Sequence, residues 1–164
     1  MFHSVQRLTN MYFKMQYDLI KSSREVLLQY CSSIKHPDFI LENSSFGRGS
    51  IRNLLVHIAD TYMFWIGKQA LQQNISFKEY KSYPSLAEVK DYFNSVDKLA
   101  DEFIGVFQND SFKELKIIVN ENTISKTPFE LFTHVITHEF HHKGQILSLS
   151  RHLGYLPVDT DIIR

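Results

Sequence analysis

Apolar residues return at helical intervals in four separate stretches of this 164-residue chain. An amphipathic helix must bury its stripe against another element, so the pattern restricts the chain to a mainly helical fold. The first stripe runs from Ser4 to about Tyr30 through Val5, Leu8, Tyr12, Met15, Leu19, Val26 and Tyr30. His36-Pro37, then Ser44, Ser45, Gly47 and Gly49, mark a loop. Ser50 can cap a second helix whose stripe reads Leu54, Ile58, Thr61, Trp65 and fades near Asn74. Ser85-Leu-Ala-Glu88 is a capping box that opens a third, with Leu86, Val89, Phe93, Val96, Ala100 and Ile104 down one side.

Thr127-Pro128-Phe129-Glu130 starts the fourth helix: Thr as cap, Pro at the first helical position, Glu three residues after the cap. It runs to about Leu153, where Gly154 can supply a left-handed cap and Pro157 prevents continuation. Between the last two helices, Glu114 to about Thr123 holds Leu-Lys-Ile-Ile-Val, which reads as a short strand or hairpin. The expected architecture is all-α, a four-helix bundle with a short extended or hairpin stretch before the last long helix. Length places it in one domain, residues 1–164.

Lys and Arg together number 18, as do Asp and Glu, so no broad positive field exists and nucleic acid is not an expected partner. A lone cysteine, Cys31, cannot form an intrachain disulfide and fits a reducing compartment. The N-terminus lacks the basic start and apolar run of a signal peptide, and no apolar stretch approaches the ~18 residues of a membrane span. The expectation is a cytoplasmic protein without a membrane partner.

The fourth helix carries the chemistry. His138 and His142 stand four residues apart in His134-Val-Ile-Thr-His138-Glu-Phe-His141-His142-Lys-Gly-Gln145, so both imidazoles leave one helical face a turn apart. Projected at 100° per residue, His134, His138, His142 and Gln145 fall within about 80° of one another. Leu131, Val135 and Leu149 share that sector, which predicts an inward-facing surface. Phe129, Ile136, Phe140 and Leu147 take the opposite side, suited to a helix neighbour or a homodimer interface. Glu139 and Lys143 lie between, spaced as an exposed pair.

Neutral imidazole ligates zinc, nickel, copper and iron, and catalytic zinc uses three protein ligands with one position open. The best third candidate within a helix is His57, beside the stripe of the second helix. Asp60, three residues on, is a candidate for a supporting hydrogen bond, and Gln145 for orienting a ligand or another side chain. His134 and His141 read as supporting or structural, and His3, His36 and His152 as surface residues. Cys31, near a helix C-terminus, reads as packed rather than nucleophilic.

His138-Glu139-Phe140-His141-His142 also fits the metalloprotease pattern H-E-x-x-H, in which the Glu is a general base. The longer form wants Gly at 145 and His at 148, whereas this chain has Gln145 and Ser148. No glutamate follows Glu139, and Asp159 and Asp161 are the remaining downstream acids.

The stretch Ser50-Ile-Arg-Asn-Leu-Leu-Val-His57-Ile-Ala-Asp60, with the histidine run that ends at Gln145, resembles the DinB family of damage-inducible proteins. The likeness spans essentially the whole chain. Lys143 stands where that family usually has Arg in an H-H-R-G-Q run. The resemblance implies a four-helix bundle, often dimeric, with one divalent metal ion (zinc or nickel first, iron or manganese next) on His57, His138 and His142. It also implies a small-molecule substrate. Relatives join low-molecular-weight thiols to electrophiles or isomerise related compounds, and others are described only as metal-dependent hydrolases. The rival expectation is a metal-stabilised binding or dimerisation module without turnover.

Overall fold

A computed structural model describes the backbone of residues 2–164 and the side chains of residues 12–164. His3, Val5 and Leu8 therefore have side chains outside the described residues. The described residues are mainly helical, with five α-helices and one small two-stranded sheet.

Helix α1 spans Phe2–Cys31. Its buried stripe is Phe13, Tyr17, Ile20 and Leu27, while Tyr12, Met15 and Leu19 face outward. The face expected from apolar periodicity was thus displaced by one residue. The cause is Ser23 and Arg24, two polar residues that continue the buried stripe where the pattern seeks apolar ones. A short helix α2, His36–Ile40, occupies part of the expected loop, with Pro37 in its first turn and Phe39 in the core.

Helix α3, Ile51–Tyr62, opens on Ser50, whose hydroxyl accepts from Asn53 N. It passes directly into a π-helical segment, Met63–Ala70, and so ends earlier than expected. Helix α4, Leu86–Phe107, opens on the Ser85/Glu88 capping box, and its stripe from Val89 to Ile104 is buried as the spacing predicts. Helix α5, Pro128–His152, opens on the Thr127/Glu130 capping box and closes at Gly154, whose φ of 90° is left-handed.

Helix α3 packs on both α4 and α5, and α1 packs on α4 and α5. Phe13, Phe103 and Phe132 meet at the centre, with ring centroids 4.7–6.2 Å apart. Each such buried ring stabilises the fold by about 1.5–3 kcal/mol. No helix among the described residues is long and apolar enough to cross a membrane.

Strands β1, Leu115–Val119, and β2, Asn122–Lys126, form an antiparallel hairpin that pairs Leu115 with Lys126. Its turn residues Asn120 and Glu121 both have positive φ, as a two-residue turn compatible with strand twist requires. The side chain of Gln69, in the π segment, pairs with β1: its amide donates to Ile118 O, and its oxygen accepts from Ile118 N, each at 2.9 Å. That double bond holds the hairpin beside the end of α3.

Candidate metal centre

Helices α3 and α5 bring three imidazoles together. His142 Nε2 lies 3.0 Å from His138 Nε2, which lies 3.1 Å from His57 Nε2. One ligand atom from each of the three falls within 4.8 Å of the others. His142 is buried, and His57 and His138 are half-buried. The histidine face is thus a partly open wall rather than the inward surface that the wheel suggested, and His134 and His141 on its margins are exposed.

The proton inventory of this cluster suits a cation. Gln145 Oε1 accepts from His142 Nδ1 at 2.9 Å, while Gln145 Nε2 donates to His141 Nε2 at 3.1 Å. A neutral imidazole carries one N–H, so His142 must turn a lone pair toward the cluster. Arg48 Nη2 donates to His57 Nε2 at 3.2 Å, which makes that nitrogen an acceptor as well. His138 has one proton at most to offer two acceptors. A divalent ion with Zn–N bonds of about 2.0–2.1 Å fits three lone pairs at such spacings, with Arg48 giving up its bond to His57 Nε2.

Electrostatics keep the rings neutral. Burial, then the Arg48 charge and the two neighbouring histidines, pushes His57 down to about 3. Burial, then the other histidines and Arg48, pushes His138 down to about 4. His142 is lowered too, first by burial, against the opposing effect of the hydrogen bond it donates to Gln145. Three neutral imidazoles are the ligating form.

Gln145 thus orients His142 and bridges to His141. Asp60 does not support His57: its Oδ1 accepts from Tyr92 at 2.8 Å, and no hydrogen bond joins it to a histidine among the described residues. An i, i+3 spacing on one helix puts two residues on neighbouring faces but does not aim a short side chain back at its neighbour. His134 stacks edge-on to Trp65, with centroids 5.1 Å apart. His36 binds Pro84 O, and His152 lies near Phe46. Cys31 is buried, and burial pushes its thiol up to about 12, which removes it as a nucleophile.

The largest departure from the sequence reading is Glu139–Lys143. Both are fully buried rather than exposed. Glu139 accepts from Arg24 Nη2 at 2.9 Å and Nε at 3.1 Å, and from Tyr62 at 2.7 Å, with Lys143 Nζ at 3.4 Å. Arg24 also reaches Asp97 at 2.7 Å, and Lys143 donates to Ser23 at 2.7 Å. Arg24 and Lys143 hold the Glu139 carboxyl below its usual range despite its burial. An acid so engaged is not available as a general base, so H-E-x-x-H here describes one clamp and two site residues. A single-helix wheel could not show this, because the partner cation comes from α1.

Two clefts flank the cluster. One, of about 300 Å³, is lined by His57, Asp60, Thr61, Phe64, Trp65 and Phe77. The other, of about 270 Å³, runs between Trp65, His134 and the hairpin residues Ile124 and Lys126. Trp65 divides them and owes its placement to the π segment, a helix distortion frequent at functional sites. Neither Arg48 nor Trp65 stood out as a site residue in the sequence. Arg48 sits in an irregular loop, and Trp65 belongs to an apolar stripe.

A model of the DinB family matches residues 3–164. A relative, the uncharacterized protein YizA of Bacillus subtilis (strain 168), is 32% identical over 127 residues, covering 76% of this chain and 77% of that protein.

Proposed function

The chain belongs to the DinB family, and on that premise we propose a divalent-metal-dependent enzyme, one four-helix-bundle domain of the DinB type over residues 1–164. His57, His138 and His142 are the ligands, with zinc or nickel favoured and iron or manganese as the next choices. The observation that carries this reading is the convergence of three neutral Nε2 atoms at 3.0–3.1 Å, one of them fixed in tautomer by Gln145. The reaction is S-transfer from a low-molecular-weight thiol to a small electrophile, with hydrolysis of a small molecule as the related alternative.

A divalent cation on three imidazoles supplies Lewis acidity that lowers the pKa of a coordinated thiol or water. The chain's own residues do the rest. Gln145 holds the His142 ring in its ligating tautomer. Phe64, Trp65 and Phe77 form an apolar wall on one side of the cleft beside His57. No carboxylate belongs to the cluster among the described residues, and Glu139 is held in its ion pairs. Thiol transfer tolerates that arrangement, because a thiol close to neutral pKa needs no strong base.

The same lack of a placed base favours the second reading, a metal-stabilised binding module without turnover. Purified protein tested for metal content, then for conjugation of glutathione or bacillithiol to a panel of electrophiles, separates the two. Near one divalent ion per chain with metal-dependent conjugation supports the enzyme. Metal without any conjugation or hydrolysis supports the module, and metal-free protein defeats both. A cytoplasmic setting and a homodimer complete the proposal. The outward α1 residues Tyr12, Met15 and Leu19, at 61%, 52% and 49% exposed, give the dimer a better candidate face than α5. On α5, Ile136 is already packed within the chain.

A further inference from the structure

We propose that Arg48 is the specificity-determining residue of this site, and that the molecule bound beside the histidines is a small carboxylate with an apolar body. The inference deepens the reading of the metal site and rests on it for the position of the carboxylate.

Arg48 is delivered to the cluster by a built loop. Asn53, buried and one helical turn before His57 on α3, donates from its side-chain amide to Arg48 O at 2.8 Å and to Glu42 at 2.9 Å. The loop closes through Asn43 N to Gly49 O at 2.6 Å, with Gly49 at φ 86°. The helix that supplies His57 therefore also anchors the backbone of Arg48, and the guanidinium reaches His57 at 3.2 Å.

Charge accounting then asks for an anion. Among the described residues Arg48 forms no ion pair with a carboxylate, and Glu42, the acid of its own loop, is engaged by Asn53 and lies 3.8 Å from Arg52. The three histidines are neutral, so a loaded site places a dication beside a guanidinium with no acidic ligand between them. Asp60 is the one acid lining the adjoining cleft; it feels the Arg48 charge without pairing with it, and its Oδ1 accepts from Tyr92, so the guanidinium keeps donors for a second carboxylate. A planar guanidinium with free donors matches a carboxylate better than any neutral group.

The apolar body follows from the walls. Phe64 and Trp65 meet edge to face with centroids 5.0 Å apart, and Phe77 extends the surface. The cleft of about 300 Å³ is at the small end for ligand sites, which limits the body to roughly one ring.

Trp65 is the chain's single tryptophan, so its fluorescence reports on the two clefts it lines, and the Arg48 variants tell them apart. The test titrates zinc-loaded protein with 3-phenylpropionate and with 3-phenylpropan-1-ol, in wild type, Arg48→Ala and Arg48→Lys. The expected result is at least tenfold tighter binding of the carboxylate in wild type. That preference disappears in Arg48→Ala and is partly kept in Arg48→Lys, while alcohol binding and zinc content stay unchanged. Equal binding of the two probes, a preference that survives Arg48→Ala, or no response to either probe overturns the proposal. Zinc content is measured separately. Protein that takes up no zinc defeats the metal reading, and the same titrations on that metal-free protein still decide whether Arg48 selects the carboxylate.

Discussion

Helix α5 carries two pairs at the same i, i+4 spacing, offset by one residue: His138 with His142, and Glu139 with Lys143. The offset turns one pair about 100° from the other, and their environments are opposite. Glu139 and Lys143 are buried and saturated with partners from α1 and α3. The histidines stand at an open wall with nitrogen lone pairs facing one another. The first pair fixes the rotation of α5, and the second uses that rotation to meet His57. A histidine run can therefore contain an acid that holds the helix in place while its neighbours face the cluster.

The comparison breaks most readily at Glu139. Glu139→Ala leaves Arg24 buried with only Asp97 as a charged partner, and the expected loss is about 3–5 kcal/mol of stability. Chemical denaturation measures it, and a loss below 1 kcal/mol would show that the network is dispensable.

His138→Ala should do the reverse. Metal binding falls below detection by elemental analysis, while metal-free stability changes by no more than about 0.5 kcal/mol, because the ring is half-exposed. A large loss of metal-free stability would erase the distinction between the pairs.

Gln145→Ala sharpens the contrast at smaller scale. Loss of the bond to His142 Nδ1 should weaken metal affinity about 10–100-fold. Competition with a chromogenic chelator reads this, and unchanged affinity would leave Gln145 without an orienting role.

The last contrast is in pH. His57 and His138, held near 3 and 4 when folded against 6.5 unfolded, take up protons in the unfolded chain first. Metal-free stability should therefore decline as pH falls below about 6.5, continuing toward pH 3–4. Glu139, lowered from 4.5, adds its loss only below that value. Urea midpoints measured from pH 7 to 4 should slope in wild type and slope less steeply in His57→Ala, where His138 still contributes. Parallel slopes would refute the assignment.

Much of this architecture was legible because its signals are local. Ser50, the Ser85/Glu88 box and the Thr127/Glu130 box open their helices where the pattern puts them. Spacing alone placed His138 and His142 on one face, and the run from Leu115 to Val119 formed a strand. What stayed hidden depends on contacts between distant segments. Arg24 looks like a surface residue until Glu139 and Asp97 arrive from α5 and α4. With it went the true stripe of α1 and the burial of Lys143. The π segment has no spacing signature of its own, and Arg48 gains meaning only from Asn53 and His57.

Gln69 has a consequence outside the site. A two-stranded sheet exposes backbone donors and acceptors along its edges, which invites pairing with strands of other molecules. By satisfying both the N–H and the carbonyl of Ile118 with one side-chain amide, Gln69 imitates a third strand at that residue. The substitution that removes it would leave Ile118, already 61% exposed, on an unguarded edge. The same glutamine that seats the hairpin beside the cleft thus also covers one residue of a strand edge that another chain could pair with.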